Sequence, residues 1–223
     1  KLNIYEEKAH VVVSKKRSLE AARAYKGTKT AVHNFASAKN PGGGVVNGAS
    51  AQEECLCRCS NLYFCLNTNE MMDGFYYPHR AMSSLLYNGD VIYTPDIIVF
   101  KSDDASPRTM PEKDWYEVDI ITCAAPNLRH GILGGNTNLR AIHETRLRRM
   151  LDIAVTEGVE SIVLGAFGCG AFMNDPAIVA DAAKRVLKDY LYAFKNIEYA
   201  VYCSPKNDAN YQAFHRALAE YCG

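Results

Sequence analysis

Two adjacent carboxylates, Glu53 and Glu54, follow three consecutive glycines, Gly42, Gly43 and Gly44, across a spacer of seven residues (45–51) and Gln52. The whole stretch, from Asn40, is NPGGGVVNGASAQEE. A carboxyl group held against a bond can protonate a leaving oxygen and then, as carboxylate, activate water. A glycine run permits positive φ and leaves no side chain between backbone and ligand, so its N–H groups can lie on a phosphate or a sugar. Ser50 and Glu53 have the S-x-x-E spacing of a capping box, so Glu53 either caps its own helix or touches a ligand. Glu54 has no such capping role; it falls in the first helical turn, beside the glycine loop.

A second glycine loop, GAFGCGAFMNDP (165–176), follows the apolar run SIVLGAF. Gly165, Gly168 and Gly170 precede a helix start capped by Asp175 or Asn174, with Pro176 at its first turn. A backbone cradle at a helix N-terminus suits a diphosphate. The loop lacks the Gly-Lys-Ser/Thr of a Walker motif, and Met173 stands where a dinucleotide fingerprint wants its third glycine. A third segment, CAAPN (123–127), places small residues, Pro126 and Asn127 after a strand, either as a plain turn or as room for a ligand. Two glycine loops on one sheet could clamp one ligand between them.

The elements that must carry these loops are legible as alternating runs. Strands are expected over HVVVS (10–14), TAVHNFA (30–36), DIIVF (96–100), EVDIITCAA (117–125), SIVLGAF (161–167) and EYAVYCS (198–204). They are apolar on both faces, as in a sheet covered on both sides. Helices are expected over 18–26, 138–158, 175–194 and 207–221, with a helix start at the acid pair. This alternation predicts an α/β fold: helix layers on both faces of a central mixed sheet, with ligands beyond the carboxyl ends of the strands. The charged, proline-bearing stretch 101–114 is expected as a surface excursion within a single domain spanning 1–223.

The 223 residues, 48% hydrophobic and 22% charged, have the composition of a globular protein with a sizeable core. A formal net charge of +0 gives no bulk attraction for a polyanion, which disfavours sequence-specific nucleic-acid binding. No apolar run approaches the ~20 residues of a membrane span. Eight cysteines form no CxxC pair, and the spacing of Cys55, Cys57 and Cys59 suits small buried hydrophobes rather than a metal. Unpatterned thiols point to a reducing, cytoplasmic compartment. The six histidines show no ligand spacing and are expected to be structural or surface residues. A pocket for a ligand's base is expected after the last strand, at Ser204 to Asp208.

The pattern GGG, seven residues, QEE resembles the signature of bacterial-type poly(ADP-ribose) glycohydrolases, a branch of the macrodomain fold. GAFGCGAFMNDP is similar to that family's diphosphate loop and ITCAAPN to its central strand end, while SLEAARAY also fits, so the resemblance covers nearly the whole chain. It implies hydrolysis of the ribose–ribose O-glycosidic bond of poly(ADP-ribose), mainly from chain ends, with ADP-ribose as product. It implies Glu54 as the catalytic acid and base, and Glu53 as its neighbour orienting the distal ribose. Asn40, Gly42, Gly43, Gly44, Val45 and Gln52 would then belong to the ribose end. Ala125, Pro126, Asn127, Gly168, Cys169, Gly170, Ala171, Phe172 and Asn174 would belong to the diphosphate end, with Phe172 against ribose or phosphate. The sequence departs from the family in having Phe167 where Trp is frequent. A helix N-terminus favours the carboxylate form, whereas burial beneath a ligand beside Glu53 favours the acid. The expectation is an ionised Glu54 that takes a proton when substrate binds.

No cofactor or metal is expected, and a monomer is. The substrate would be poly(ADP-ribose) or an ADP-ribosylated protein. Three rivals share parts of the pattern: an ADP-ribose reader without turnover, a hydrolase of mono-ADP-ribosyl or O-acetyl-ADP-ribose substrates, and an unrelated nucleotide-binding α/β protein. The retained acid pair argues against the first and the GGG–QEE spacing against the last.

Overall fold

The computed structural model describes residues 2–129, 138–204 and 206–222. Six strands form one sheet: β1 (His10–Ser14), β2 (Thr30–Ala36), β3 (Val91–Val99), β4 (Tyr116–Ala124), β5 (Ser161–Leu164) and β6 (Asn196–Ala200). Their order is β1-β6-β5-β2-β4-β3. Neighbours run parallel except β3, which pairs antiparallel with β4 at the edge.

Strand alternation explains the layers. In lateral register, Val32 sits between Ile120 and Val163, and these three side chains share one face. One position away, Ala31, Ile121 and Ile162 point to the other. The first face packs on α1 (Ser18–Ala22), α2 (Gln52–Cys59) and α3 (Leu62–Leu66) through Leu19, Leu56 and Leu62. After α3 come two short helices, α4 (Asn69–Met71) and α5 (Tyr77–Ala81). The second face packs on α6 (Leu139–Thr156), α7 (Pro176–Leu187) and α8 (Ala209–Leu218) through Leu151, Val186 and Phe214. The result is the three-layer α/β/α arrangement expected for a two-faced apolar sheet.

Several boundaries differ from expectation, each for a local reason. β3 begins at Val91 rather than at 96, because a register shift between Thr94 and Ile97, with Asp96 at φ 56°, hides its first half from a simple pattern. β5 stops at Leu164, and β6 spans Asn196–Ala200 rather than 198–204. The chain leaves the sheet at Gly165, where a Cβ would lie 2.6 Å from the Phe35 ring and 2.8 Å from the Ala200 carbonyl. α7 ends at Leu187, not at 194, since the carbonyls of Asp189, Leu191 and Tyr192 accept bonds from Leu2, Ile4, Tyr5 and Ala9 instead of continuing a helix. Among the described residues, no helix is long and apolar enough to cross a membrane.

The functional consequence is positional. β2, β4, β5 and β6 run parallel, so the segments after Ala36, Ala124, Leu164 and Ala200 all emerge at one edge of the sheet. Both glycine loops emerge there.

Candidate active site

The first loop folds over the acid pair. Gly42 and Gly43 have φ of 63° and 60°, a conformation costly for any residue with a Cβ. The turn is held by bonds from Gly43 N to Asn40 O (3.0 Å) and from Val45 N to Gly42 O (3.1 Å). A Cβ on Gly43 would lie 2.5 Å from Glu54 Oε1 and 3.0 Å from Glu53 Oε2. The missing side chain is therefore what admits both carboxyls. Gly44 N donates to Glu54 Oε1 at 2.9 Å. Glu54 is 8% exposed, and its Oε2 is buried without a protein partner.

Glu53 is fixed differently. No capping box forms: α2 begins after Ala51, which makes no side-chain cap, so the Ser50–Glu53 spacing is not used as expected. Instead Glu53 Oε2 accepts from Ser37 N at 2.7 Å and Oε1 from Asn34 Nδ2 at 3.4 Å. Burial pushes its carboxyl up to about 8, against the downward pull of these bonds, with the adjacent Glu54 adding to the rise. Gln52 turns towards the sheet. Its Oε1 accepts from Phe35 N at 2.9 Å, and its Nε2 donates to His33 O at 2.7 Å and to Ser18 Oγ at 3.0 Å. β5 pairs with β2 only as far as Val32, so the Gln52 amide serves β2 where the neighbouring strand has left. The three side chains thus divide the work: Gln52 docks the helix, Glu53 fixes the loop after β2, and Glu54 keeps one oxygen uncommitted.

The second loop is closed by its own backbone, with Asn174 N bonded to Gly168 O and Met173 N to Gly170 O, both at 3.0 Å. Gly168 has φ 76°, and a Cβ there would sit 2.6 Å from both Ala125 Cβ and Asn174 Nδ2. Leu128 N donates to Phe172 O at 2.9 Å, and Arg129 Nε donates to Ala171 O, tying the segment after β4 to this loop. Among the described residues, the amides of Gly170, Ala171 and Phe172 meet no backbone acceptor. Asp175 is the cap of α7, its Oδ1 accepting from Ala177 N at 2.8 Å.

The two loops face each other across a cleft of about 1160 Å³. It is lined as well by Arg17, Asp103, Tyr202 and Asn210. The Arg17 guanidinium lies 4.2 Å from the centre of the Tyr202 ring, and Tyr202 is 57% exposed. Asp103 accepts from Leu19 N at 3.1 Å, so the stretch expected as a surface excursion reaches the cleft. Burial raises the Asp103 carboxyl above the usual carboxylate range, against the pull of Leu19 N and Arg17.

The family model of the microbial-type poly(ADP-ribose) glycohydrolase (PARG) catalytic domain matches residues 2–102. The PARG of Deinococcus radiodurans, solved in complex with ADP-ribose, is 33% identical with a TM-score of 0.88, over 99% of this chain and 88% of that one. The chain belongs to the microbial-type poly(ADP-ribose) glycohydrolases. The PARG of Thermomonospora curvata, bound to the inhibitor ADP-HPD, is 35% identical with a TM-score of 0.85, over 93% of this chain and 78% of that one. No curated protein matches the chain.

Within this glycohydrolase fold, the residues singled out in the sequence separate into two sets. Asn40, Gly43, Gly44, Gln52, Glu53, Glu54, Ala125, Gly168, Gly170, Ala171 and Phe172 line the cleft. Gly42, Val45, Pro126, Asn127, Cys169 and Asn174 do not line it but stand behind it. Asn174 is 3% exposed and gives its amide to Pro126 O and Gly168 O, at 2.8 and 3.1 Å. Of the segment expected to hold the base, 204–208, no described residue lines the cleft, which reaches Ala200, Val201, Tyr202 and Asn210; residue 205 lies outside the described residues. Sequence reasoning missed Arg17, Asp103, Tyr202 and Arg129. Arg17 and Tyr202 each lie just past a strand end, which was the usable signal. Of the cysteines, Cys57 and Cys59 are buried, whereas Cys55 is half-buried and lines the cleft.

Proposed function

We propose that this chain, acting as one catalytic domain, hydrolyses the ribose–ribose O-glycosidic bond of poly(ADP-ribose), mainly from chain ends, and releases ADP-ribose. Glu54 takes up a proton as substrate covers it. It gives that proton to the leaving ribose oxygen as the bond from the anomeric carbon to that oxygen breaks. The oxocarbenium-like centre is then attacked by water, whose proton returns to Glu54. One carboxyl serves both steps, which departs from the two-carboxylate pattern of most glycosidases.

The observation that carries this reading is the state of Glu54: one oxygen is fixed on Gly44 N at 2.9 Å, and the other is buried without a protein partner in a residue lining the cleft. An acid so placed has one atom for positioning and one for chemistry. Glu53 holds the distal ribose in place. Asn40 and the Gly42–Gly44 backbone, with Val45 behind, shape the ribose end. The amides of Gly170, Ala171 and Phe172, lying between Gly168 and the α7 N-terminus, take the diphosphate. The exposed Tyr202 ring in the cleft is a stacking surface for the base. The eight free cysteines suit a reducing compartment, and we place the protein in the cytoplasm.

The test is a substrate panel under one condition: purified poly(ADP-ribose), a mono-ADP-ribosylated peptide and O-acetyl-ADP-ribose. The reading predicts rapid release of ADP-ribose from the polymer, with the other two slower. Turnover confined to a mono-ADP-ribosyl substrate, or ADP-ribose binding with no turnover at all, would overturn it.

A further inference from the structure

Behind the cleft, between the sheet and the α6–α8 layer, lies a small cavity of about 20 Å³. Most of its lining is apolar, but His33, His143 and Tyr199 are part of it, each at most 3% exposed. His33 Nε2, His143 Nδ1 and the Tyr199 hydroxyl are all buried with no protein partner. Three orphaned polar atoms on one cavity are costly, and a cavity of this size accommodates one water.

The other nitrogen of His143 is not orphaned. Nε2 lies 2.9 Å from Asn174 Oδ1. The Asn174 amide donates to Pro126 O and Gly168 O, so its Oδ1 is the end facing the histidine, and Nε2 must carry the proton. His143 Nδ1 is then a bare acceptor that needs a donor from the cavity. Burial depresses both imidazoles, His33 to about 3 and His143 to about 4, so both are neutral at working pH. A single water donating to His143 Nδ1, and shared with His33 and the Tyr199 hydroxyl, satisfies the cavity. The chain of contacts then runs from the sheet core, through α6, to a carbonyl of the segment after β4 and one of the second loop.

We propose that His143 is a positioning residue: with one water in this cavity it orients the Asn174 amide, and Asn174 locks the segments after β4 and β5 at the spacing the ligand's diphosphate needs. This rests on the assignment of those segments to the diphosphate, but the locking itself does not. A histidine that merely filled the core would stabilise the fold without holding the loop.

The experiment compares His143→Leu, His143→Gln and, as a core control on the same helix, Leu151→Ala. Hydrogen exchange of the loop's hydrogen-bonded amides, Cys169, Met173 and Asn174, measured under native conditions, should be about tenfold faster in His143→Leu, as expected for loss of one buried hydrogen bond. Leu151→Ala should lose stability while leaving that exchange rate within about twofold of wild type. His143→Gln, whose side-chain amide can still donate, should recover most of the protection. The dissociation constant for ADP-ribose should rise about tenfold in His143→Leu with kcat for polymer changed less than about threefold. Equal loop exchange in His143→Leu and Leu151→Ala would overturn the proposal. Should His143→Leu fail to fold, Asn174→Ala carries the expectation of faster loop exchange, with the same overturning result. A wild type that does not bind ADP-ribose would sink the functional assignment, while the exchange data would still decide the locking.

Discussion

The two glycine loops look alike in sequence and are built on opposite principles. In the first, a Cβ on Gly43 would meet the oxygens of Glu54 and Glu53, so the glycine exists to admit two carboxyl groups. In the second, a Cβ on Gly168 would meet Ala125 and the Asn174 amide, so the glycine exists to admit a neutral, fully bonded support. The first loop leaves one carboxyl oxygen of Glu54 without a protein partner; the second, among the described residues, leaves the amides of Gly170, Ala171 and Phe172 without a backbone acceptor, over an Asn174 amide that is fully bonded. This is the division expected when one end of a ligand is to be transformed and the other only held.

The largest effect should come from Gly43→Ala. The new methyl group must displace the Glu54 carboxyl, the movable end of a flexible side chain, so the fold survives while turnover falls by about 100-fold or more. Polymer turnover by a variant with an intact circular dichroism spectrum checks this; activity within threefold of wild type would break the contrast. Gly168→Ala shares the positive-φ cost to stability with Gly43→Ala but should act on affinity rather than on turnover. A residue forced to positive φ against packed neighbours costs about 1–3 kcal/mol, and calorimetric titration with ADP-ribose should show weaker binding with a smaller loss in kcat. Gly170→Ala sharpens the comparison from below. Nothing lies within 4 Å of its virtual Cβ, so binding and stability should change by less than about twofold.

The two regions should also respond oppositely to pH. The Glu53 carboxyl rises on folding from 4.5 to about 8, so the native state takes up a proton in that window. Its contribution to stability is present at low pH and lost as pH rises through 8. Urea unfolding of Glu53→Gln against wild type should therefore favour the variant increasingly from pH 4.5 to 8. His33 and His143 fall from 6.5 to about 3 and about 4. There the unfolded chain takes the protons, so their contribution is present above 6.5 and lost as pH falls towards 4. A wild-type-minus-variant difference that stays flat across either window would show that the corresponding group does not titrate as described.

How much of this was legible depended on the distance over which each signal acts. The GGG–QEE pattern was readable because the loop and the helix start are sequence neighbours. The strands and the longer helices were readable because their apolar periods are intact. The role of Glu53 was open, since a capping box and a loop anchor share one spacing, and its actual donors, Ser37 and Asn34, lie on and after a strand behind it. Gln52 was listable as a site residue but not as a staple, because its partners are strand backbone atoms with no sequence signature. The short helices between Leu62 and Ala81 were not anticipated, being too brief to establish a helical period. The histidines looked structural one at a time; that two of them share a cavity is a property of tertiary packing alone.

The most direct test of the central claim is Glu54→Gln, assayed for ADP-ribose release from poly(ADP-ribose) and for ADP-ribose binding by calorimetry. Glutamine keeps the shape of the side chain and can still meet the first loop, but it cannot donate and recover the reacting proton. The account predicts binding within about threefold of wild type and turnover reduced by at least about 100-fold, at the lower end of what removing a general acid–base costs. Turnover that persists in Glu54→Gln, with wild type active beside it, would contradict the assignment of the cleavage to this carboxyl.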